Sequence, residues 1–151
     1  MELKRVVVTG LGALTPVGNN VEETWENLKN GVRGAGPITH FDSTAFKTHF
    51  ACEVKNFNAA DYMDRKLARK MDLYAQYAIA AAGEAIKDCG MDLETVDKDE
   101  IGVILGVGIG GINTFESEVS YYATNPEEGP KFNPFFIPKM IGDIAAGPIA
   151  I

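Results

Sequence analysis

Two short runs of β-branched and other apolar residues, each followed at once by a glycine-rich turn, constrain the fold most strongly. The first run is Arg5–Thr9 before Gly10-Leu-Gly12, and the second is Ile101–Leu105 before Gly106-Val-Gly-Ile-Gly-Gly111. Continuous apolar runs of this length are typical of strands buried on both faces. A strand of that kind needs a covering layer on each side, so the sequence predicts a layered α/β fold.

A short amphipathic helix is predicted between Asn20 and Gly31. Asn20 followed by Glu23 resembles a capping box, in which side chains satisfy free N–H groups of the first turn, and Gly31 is a typical stop signal. Three apolar residues share one face at helical spacing: Val21, Trp25 and Leu28. We expect this face to be the buried one.

Three later segments also have helical spacing. Apolar residues recur every three or four positions from Met71 to Cys89, and the many alanines between them predict a largely buried helix. The same spacing recurs from Ile112 to Tyr122. Pro138 suits the first turn of a further helix, because a first-turn residue has no intrahelical partner for its N–H group.

One weaker strand is predicted at Phe50–Lys55, after a loop over residues 32–49 that is rich in glycine, proline and hydroxyl side chains. Apolar and polar residues alternate there, and the alternation turns Phe50, Cys52 and Val54 to the inner face. Two strong strands and one weak strand are fewer than the about four to six strands of a usual sheet. With an apolar end at Gly147–Ile151, the sequence is expected to be part of a longer α/β chain.

Composition excludes several classes of function. The chain has 151 residues, a net charge of −7 and a pI near 4.8, which disfavours general nucleic-acid binding. No apolar run reaches the about 18 residues that a transmembrane helix needs, and Met1-Glu-Leu-Lys-Arg-Val lacks the apolar core of a signal peptide, so a cytoplasmic location is expected. Two cysteines and two histidines in unrelated contexts predict neither a disulfide framework nor a metal site, and no cofactor is expected.

The turn Gly106-x-Gly108-x-x-Gly111 fits the dinucleotide-binding pattern, in which glycines let the backbone approach a pyrophosphate at a helix N-terminus. The second strand that should end in an acidic residue about 20 positions later is replaced by the turn-rich Asn125–Pro130. A tight structural turn is therefore the favoured interpretation, and a dinucleotide-binding domain is a weaker alternative.

Neither cysteine has the surroundings of a nucleophile. Cys89 ends the predicted helix, where the helix dipole disfavours a thiolate, and Cys52 lies on the inner side of the alternating strand. Both are expected to be small core residues. His40 and His49 lie in the loop and could act as bases only with partners supplied by folding.

A basic cluster at residues 65–70 stands out in an acidic chain. On a helix, Lys66 and Lys70, or Arg65 and Arg69, lie on one face at four-residue spacing, where like charges repel. Such a cluster can be retained to attract an anionic partner, or it can be a solvated face neutralised by nearby aspartates.

Taken together, these segments resemble the elongating β-ketoacyl-acyl-carrier-protein synthases, condensing enzymes of the thiolase superfamily that act in bacterial fatty-acid synthesis. The resemblance rests on the following residues, in order along the chain: Arg5-Val-Val-Val-Thr-Gly-Leu-Gly-Ala-Leu-Thr-Pro-Val-Gly18, Thr24-Trp25, His40-Phe-Asp42, Arg69-Lys-Met-Asp72, Gly106-Val-Gly-Ile-Gly-Gly111 and Asn133-Pro-Phe-Phe-Ile-Pro138.

The resemblance implies a thiolase-like fold of α-β-α-β-α layers, of which residues 1–151 are the incomplete N-terminal half of one β-ketoacyl synthase domain. Family members are more than twice this length and homodimeric. They transfer an acyl group from acyl carrier protein to a cysteine, and two histidines support the decarboxylation of malonyl thioester. The matching positions lie beyond Ile151, so no residue of this chain is expected to be catalytic and the chain alone is expected to be inactive.

The resemblance also implies binding roles. Ile109 matches an isoleucine that gates the acyl pocket, and Phe136 matches a phenylalanine that reaches the partner subunit's acyl pocket, whereas Phe135 is expected in the core. Lys66, Arg69 and Lys70 match positions that face the acyl carrier protein, with Lys131 a weaker candidate. A non-catalytic partner of the chain-length-factor type would keep the fold, the gate and the dimer surface but lack the cysteine, and is the alternative function.

Pro148 departs from the family, which commonly has a histidine there in a continuing helix. A proline inside a helix costs about 3 kcal/mol, so the helix is expected to end at Gly147 or to be altered.

Overall fold

The computed structural model describes residues 3–151, which form six α-helices joined by turns and short 3₁₀ segments. In chain order the helices are α1 (Val21–Lys29), α2 (Arg65–Lys70), α3 (Leu73–Asp88), α4 (Ile112–Thr124), α5 (Phe136–Met140) and α6 (Ala146–Ala150). The 3₁₀ turns are Ala59–Asp61, Lys98–Glu100, Pro126–Glu128 and Gly142–Ala145. Within the described range, no helix combines the length and the apolar character needed to cross a lipid bilayer.

The two apolar runs that were predicted as buried strands do not form strands. The sheet within residues 3–151 has two antiparallel strands, β1 (Gly36–Pro37) and β2 (Phe50–Ala51), with Gly36 opposite Ala51. Val6 is 89% exposed and Ile104 is 98% exposed. A buried strand needs neighbouring strands to receive its hydrogen bonds and a layer to cover its side chains. The described residues supply a strand partner to neither run, and they cover only one side of the second run, at Val103 and Leu105.

The predicted strand at Phe50–Lys55 is shorter than expected, and its first four residues face the opposite way, whereas Val54 is half-buried as predicted. Phe50 and Cys52 are exposed, whereas Ala51 and Glu53 are half-buried. The cause is a pair of hydrogen bonds from Thr39 to the Glu53 carboxylate, from the backbone N–H at 3.0 Å and from the hydroxyl at 2.7 Å. The prediction that Cys52 is a core residue is therefore wrong.

Helix α1 begins and ends where the sequence predicts. The Asn20 side chain accepts the Glu23 N–H at 2.7 Å, while the Glu23 carboxylate accepts the N–H of Asn19 rather than of Asn20. Gly31, with φ of +65°, ends the helix in a Schellman motif, in which the Val32 N–H reaches the Asn27 carbonyl.

The buried face of α1 differs from the expected one, because Trp25 and Leu28 are both more than half exposed. The half-buried side chains include Thr24 and Asn27 instead. The Thr24 hydroxyl lies 3.1 Å from that of Thr15, and the Asn27 amide donates to the Val17 carbonyl. Polar bonds to the preceding loop thus decide how this helix is oriented.

The chain divides into two compact units. One contains the segment up to Phe57 together with Glu84–Met91. In it, the two Glu84 carboxylate oxygens accept the N–H groups of Ala13 and Val21, at 2.9 and 2.8 Å. Gly10 lies so close to α3 that a Cβ there would be 2.3 Å from the Ala85 carbonyl oxygen. The first glycine turn is therefore a close contact with a helix.

The second unit contains Asn58–Gly83 and Asp92–Ile151. Its buried carboxylate, Asp72, is 5% exposed and accepts both the backbone N–H and the hydroxyl of Thr114, at 2.8 and 2.6 Å. These bonds join the start of α3 to the first turn of α4. On α3 only Ala75 and Ala80 are buried, so this helix is less buried than predicted.

Pro148 does not end a helix. The 3₁₀ turn Gly142–Ala145 runs into α6, whose third residue is Pro148. The first four N–H groups of a helix have no intrahelical acceptor, so a proline at this position removes no hydrogen bond. Of the two alternatives, an end at Gly147 is therefore wrong, and the segment is instead altered, with a 3₁₀ turn that leads into a short helix.

Candidate functional site

Helix α2 presents the predicted basic residues on the surface. Asp64 caps the helix, accepting the N–H groups of Lys66 and Leu67 at 2.7 and 3.0 Å. The backbone N–H groups of Leu67 and Lys66 hold the pKa of the Asp64 carboxyl below its ordinary value, and the charges of Lys66 and Lys70 add to the effect. The cap therefore stays ionised and fixes the start of the helix.

The three predicted docking residues are all exposed, but their surroundings differ. None of the ion pairs among residues 3–151 involves Lys66, Arg69 or Lys70. The Lys70 ammonium instead lies over the Phe135 ring, 5.7 Å from its centroid. Lys131, the weaker candidate, is paired with Glu128 at 3.2 Å. An anionic partner would therefore meet Lys66 and Arg69 as unpaired charges.

The glycine turn before α4 holds Ile109 out from the surface, with 77% of the residue exposed. The next two glycines are buried against α5. Gly110 has φ of +93°, and the Gly111 N–H donates to the Met140 carbonyl at 3.0 Å. A Cβ at Gly111 would lie 2.1 Å from the Lys139 carbonyl oxygen. The glycines are required because α5 leaves no room for a side chain.

Phe136, the first residue of α5, lies in a stack of aromatic rings. Its centroid is 5.4 Å from that of Phe132 and 6.4 Å from that of Phe115 on α4, with interplanar angles of 21° in both pairs. Phe136 is half-buried, while Phe135 is 42% exposed. The prediction that Phe135 is a core residue is therefore wrong, and Phe136 is the more buried of the two.

A tyrosine on α3 holds the residue that follows α5. The Tyr74 hydroxyl donates to the Ile141 carbonyl. Burial raises the pKa of Tyr74 above its ordinary value, and the negative charges of Asp72 and Asp143 raise it further. The hydroxyl therefore stays protonated and remains a donor. Ring stacking at the start of α5 and this bond after its end fix the helix at both ends.

Two predicted binding residues are thus supported by the same short helix. Phe136 opens α5, and the carbonyl groups near its end contact the glycines that follow Ile109. Sequence reasoning missed the groups that hold this arrangement, namely Asp72, Tyr74 and Thr114. Asp72 lies within one of the recognised motifs, but its role is visible only once Thr114 is folded against it.

The dinucleotide interpretation fails because the backbone N–H groups of the turn already have acceptors within the protein. The N–H groups of Gly111 and Ile112 donate to backbone carbonyls, and the Thr114 N–H donates to Asp72. A pyrophosphate would need these same amides at the helix N-terminus. The position is already filled by a carboxylate and by carbonyl oxygens of the protein.

The cysteines and histidines are not brought together into a reactive group. Cys89 is half-buried and its thiol donates to the Ile86 carbonyl at 3.0 Å, whereas Cys52 is exposed. The His40 Nε2 lies 3.9 Å from a Glu53 carboxylate oxygen. Among residues 3–151, no three His, Cys, Asp or Glu side chains form a group that could hold a metal ion.

Comparisons with known sequences agree over nearly the whole chain. A family model described as the N-terminal domain of β-ketoacyl synthase matches residues 3–151. The 3-oxoacyl-acyl-carrier-protein synthase 2 of Staphylococcus aureus (strain COL) is 48% identical over 149 residues, which are 98% of this chain and 35% of that protein. The synthase 2 of a Synechocystis species is 43% identical over 152 residues, which are 36% of its length. The chain thus spans about a third of the length of these relatives.

Solved structures support the same fold. A complex of a type II PKS acyl-carrier protein with its ketosynthase, bound to the hexaketide, contains a chain that superposes with a TM-score of 0.77 at 25% identity. The match covers 98% of this chain and 38% of that one. The ishigamide ketosynthase/chain length factor superposes with a TM-score of 0.76 at 28% identity, over 95% of this chain and 36% of that one. The predicted thiolase-like α/β fold class is confirmed.

The contact between the glycine turn and α5 can be tested with a matched pair of variants. Gly111→Ala should lower the free energy of unfolding by about 1–3 kcal/mol, because the added methyl group overlaps the Lys139 carbonyl oxygen. Gly108→Ala in the same turn meets no atom within 4 Å and should change stability by less than about 0.5 kcal/mol. Urea unfolding measures both, and equal effects would contradict the close contact.

Proposed function

The chain belongs to the β-ketoacyl synthase family, and from this premise we propose that residues 1–151 are the N-terminal part of the synthase domain of a 3-oxoacyl-acyl-carrier-protein synthase. The proposed reaction elongates an acyl chain on acyl carrier protein with malonyl-acyl carrier protein, in fatty-acid biosynthesis. Its strongest support is the 48% identity with a curated synthase 2 over 98% of the chain. A homodimeric parent remains a prediction of the resemblance, and a cytoplasmic location remains a prediction of the sequence pattern.

In the proposed reaction, a thiolate takes the acyl group from the carrier thioester and releases the carrier thiol. Loss of carbon dioxide from the malonyl thioester then leaves a carbanion equivalent, which attacks the acyl carbonyl and expels the thiolate. Residues 1–151 supply none of these reacting groups in our proposal, because Cys52 follows strand β2 and Cys89 follows the C-terminal end of α3, so neither lies at a helix N-terminus. The role of this segment is to bind the carrier and the acyl chain.

Lys66, Arg69 and Lys70 are the proposed docking residues for the acidic carrier protein. Exposure and the absence of ion pairs for these residues within the described chain support this role. An exposed positive patch on a chain of net charge −7 gives a local field that can orient an anionic partner. The solved complex of a related ketosynthase with its acyl-carrier protein is consistent with such a surface.

Ile109 and Phe136 are the proposed acyl-pocket residues. Gly110 and Gly111 fix the backbone beside Ile109, so this exposed branched side chain extends from a rigid turn and can act as a gate. Phe136 is proposed to reach the acyl pocket of the partner subunit. Its ring already stacks on Phe115 and Phe132, so that role would use the edge or face which the stack leaves open.

A non-catalytic chain-length-factor type partner is the second candidate, because the ishigamide ketosynthase/chain length factor has the same fold over 95% of the chain. The parent protein should form a covalent acyl-enzyme when it is incubated with acyl-acyl carrier protein. Mass spectrometry of the intact parent would detect the added acyl mass. A parent that stays unmodified would favour the chain-length-factor function.

Charge reversal on α2 tests the docking role. Lys66→Glu combined with Arg69→Glu in the parent should raise KM for acyl-acyl carrier protein by about ten-fold, because two attractive charges become repulsive. Turnover of small acyl-thioester analogues should change little. Lys98→Glu, a single charge reversal in a separate 3₁₀ turn, is the control for each of the two α2 reversals made singly. Equal losses with carrier-bound and small substrates would mean that the patch is structural.

Two substitutions of opposite size test the gate. Ile109→Phe should fill the acyl pocket and lower kcat/KM for long chains relative to short ones by about ten-fold or more, whereas Ile109→Ala should relax the preference. Steady-state assays over a series of acyl chain lengths measure both. If neither substitution changes the chain-length profile, Ile109 is not a gate.

A further inference from the structure

Lys70 differs from Lys66 and Arg69, the other two predicted docking residues of α2, in what its charge contacts. Its ammonium lies 5.7 Å from the centroid of the Phe135 ring, within the about 6 Å over which a cation and an aromatic face attract each other. Lys66 and Arg69 form no such contact among the described residues 3–151. The four-carbon stem of Lys70 thus joins α2 to the segment that precedes α5.

The Phe135 ring is one residue away from the start of α5. In this turn the Phe135 N–H donates to the Asn133 side-chain oxygen at 2.8 Å, and the Phe136 N–H donates to the Asn133 carbonyl at 2.8 Å. Both phenylalanines are therefore fixed to the same residue. Phe135 directly precedes the helix, so a change in its backbone conformation also moves Phe136, the next residue.

The two rings have different partners. Phe136 stacks on Phe132 and Phe115, while Phe135 is 42% exposed and has Lys70 on its face. An exposed aromatic ring without a partner would be free to change rotamer, and the turn could then rotate with it. The Lys70 ammonium on the face of the ring opposes this rotation.

We propose that Lys70 is a positioning residue for the acyl pocket: by holding the Phe135 ring it adds to the ring stack of Phe136 in fixing the start of α5 and the orientation of Phe136. This inference rests on the proposed function, because it assigns to the docking helix a second role in acyl-chain selection. Lys66 and Arg69 then attract the carrier protein, while Lys70 couples the helix that receives the carrier to a residue that contacts the acyl chain.

The expected effect is modest and measurable. An exposed cation–π contact contributes ~0.5–1 kcal/mol, which corresponds to a two- to five-fold change in an equilibrium or a rate ratio. Lys70→Met removes the charge but keeps a long apolar stem, whereas Phe135→Leu removes the ring and leaves every charge in place. Both variants should therefore produce the same change if the contact itself is what acts.

The experiment uses the full-length parent and acyl-pantetheine substrates of several chain lengths, which lack the carrier protein. Lys70→Met and Phe135→Leu should each move the long-to-short ratio of kcat/KM toward unity by about two- to five-fold. Their combination should change the ratio no further, because either change alone removes the contact. Lys70→Arg should restore the parent ratio, since a guanidinium also binds an aromatic face, and Lys98→Met is the control for loss of a surface charge.

Three results would overturn the inference. A Lys70→Met profile that equals the parent's, with only KM for acyl-acyl carrier protein raised, would make Lys70 a docking charge alone. Additive effects of Lys70→Met and Phe135→Leu would mean that the two residues act separately. A crystal structure of the Lys70→Met parent in which Phe135 and the Phe136 stack are unmoved would also overturn it. That last measurement needs no turnover, so an inactive parent would remove the proposed function while the positioning role is still decided.

Discussion

The buried carboxylate of Asp72 is the interaction on which the second structural unit depends. One oxygen accepts the Tyr74 N–H in the first turn of α3 at 3.4 Å, and the other accepts two hydrogen bonds from Thr114 in the first turn of α4. Two helix N-termini, each with a partial positive charge, thus meet one acceptor group. Because α4 starts at this point, Asp72 also determines where the preceding glycine turn lies and where Phe115 can stack.

The path from α2 to the glycine turn consists of short contacts through α5. Lys70 contacts Phe135, Phe136 stacks on rings from the neighbouring segments, and the carbonyls of Lys139 and Met140 pack on Gly110 and Gly111. At each contact, the geometry allows few other residue types in place of the one present. A helix of five residues has little stability of its own, so its position is set by these contacts rather than by its sequence.

Features that depend on local sequence could be predicted, and those that depend on distant partners could not. Asn20 and Gly31 mark the ends of α1 correctly, because caps are formed by adjacent residues. The run Arg5–Thr9 was predicted as a strand from its side chains alone, but a strand also needs a hydrogen-bonded neighbour. Similarly, Thr39 binds the Glu53 carboxylate and so exchanges the exposed and half-buried side chains at the start of the strand at Phe50. This contact spans 14 residues, and no alternation pattern contains it.

The residues of the candidate site also divide into those predictable from local sequence and those that depend on distant partners. Lys66, Arg69 and Lys70 could be recognised from their motif and lie on the surface as expected, although the partner of Lys70 was not foreseen. The choice between Phe135 and Phe136 could not be made correctly from the sequence, because it depends on Phe115 and Phe132. Gly111 was recognised as part of a turn, but the reason for a glycine there is the carbonyl of Lys139, 28 positions away in the chain.

The open valine run at residues 6–8 has a practical consequence for anyone who prepares this polypeptide by itself. Val6, Val8 and, in the second apolar run, Ile104 are each at least 79% accessible to solvent. Unpaired β-branched segments offer their amide and carbonyl groups to any other chain in solution, which is how intermolecular sheets begin. Purification at high concentration would therefore favour precipitation, and low protein concentration or a solubility tag would counter it.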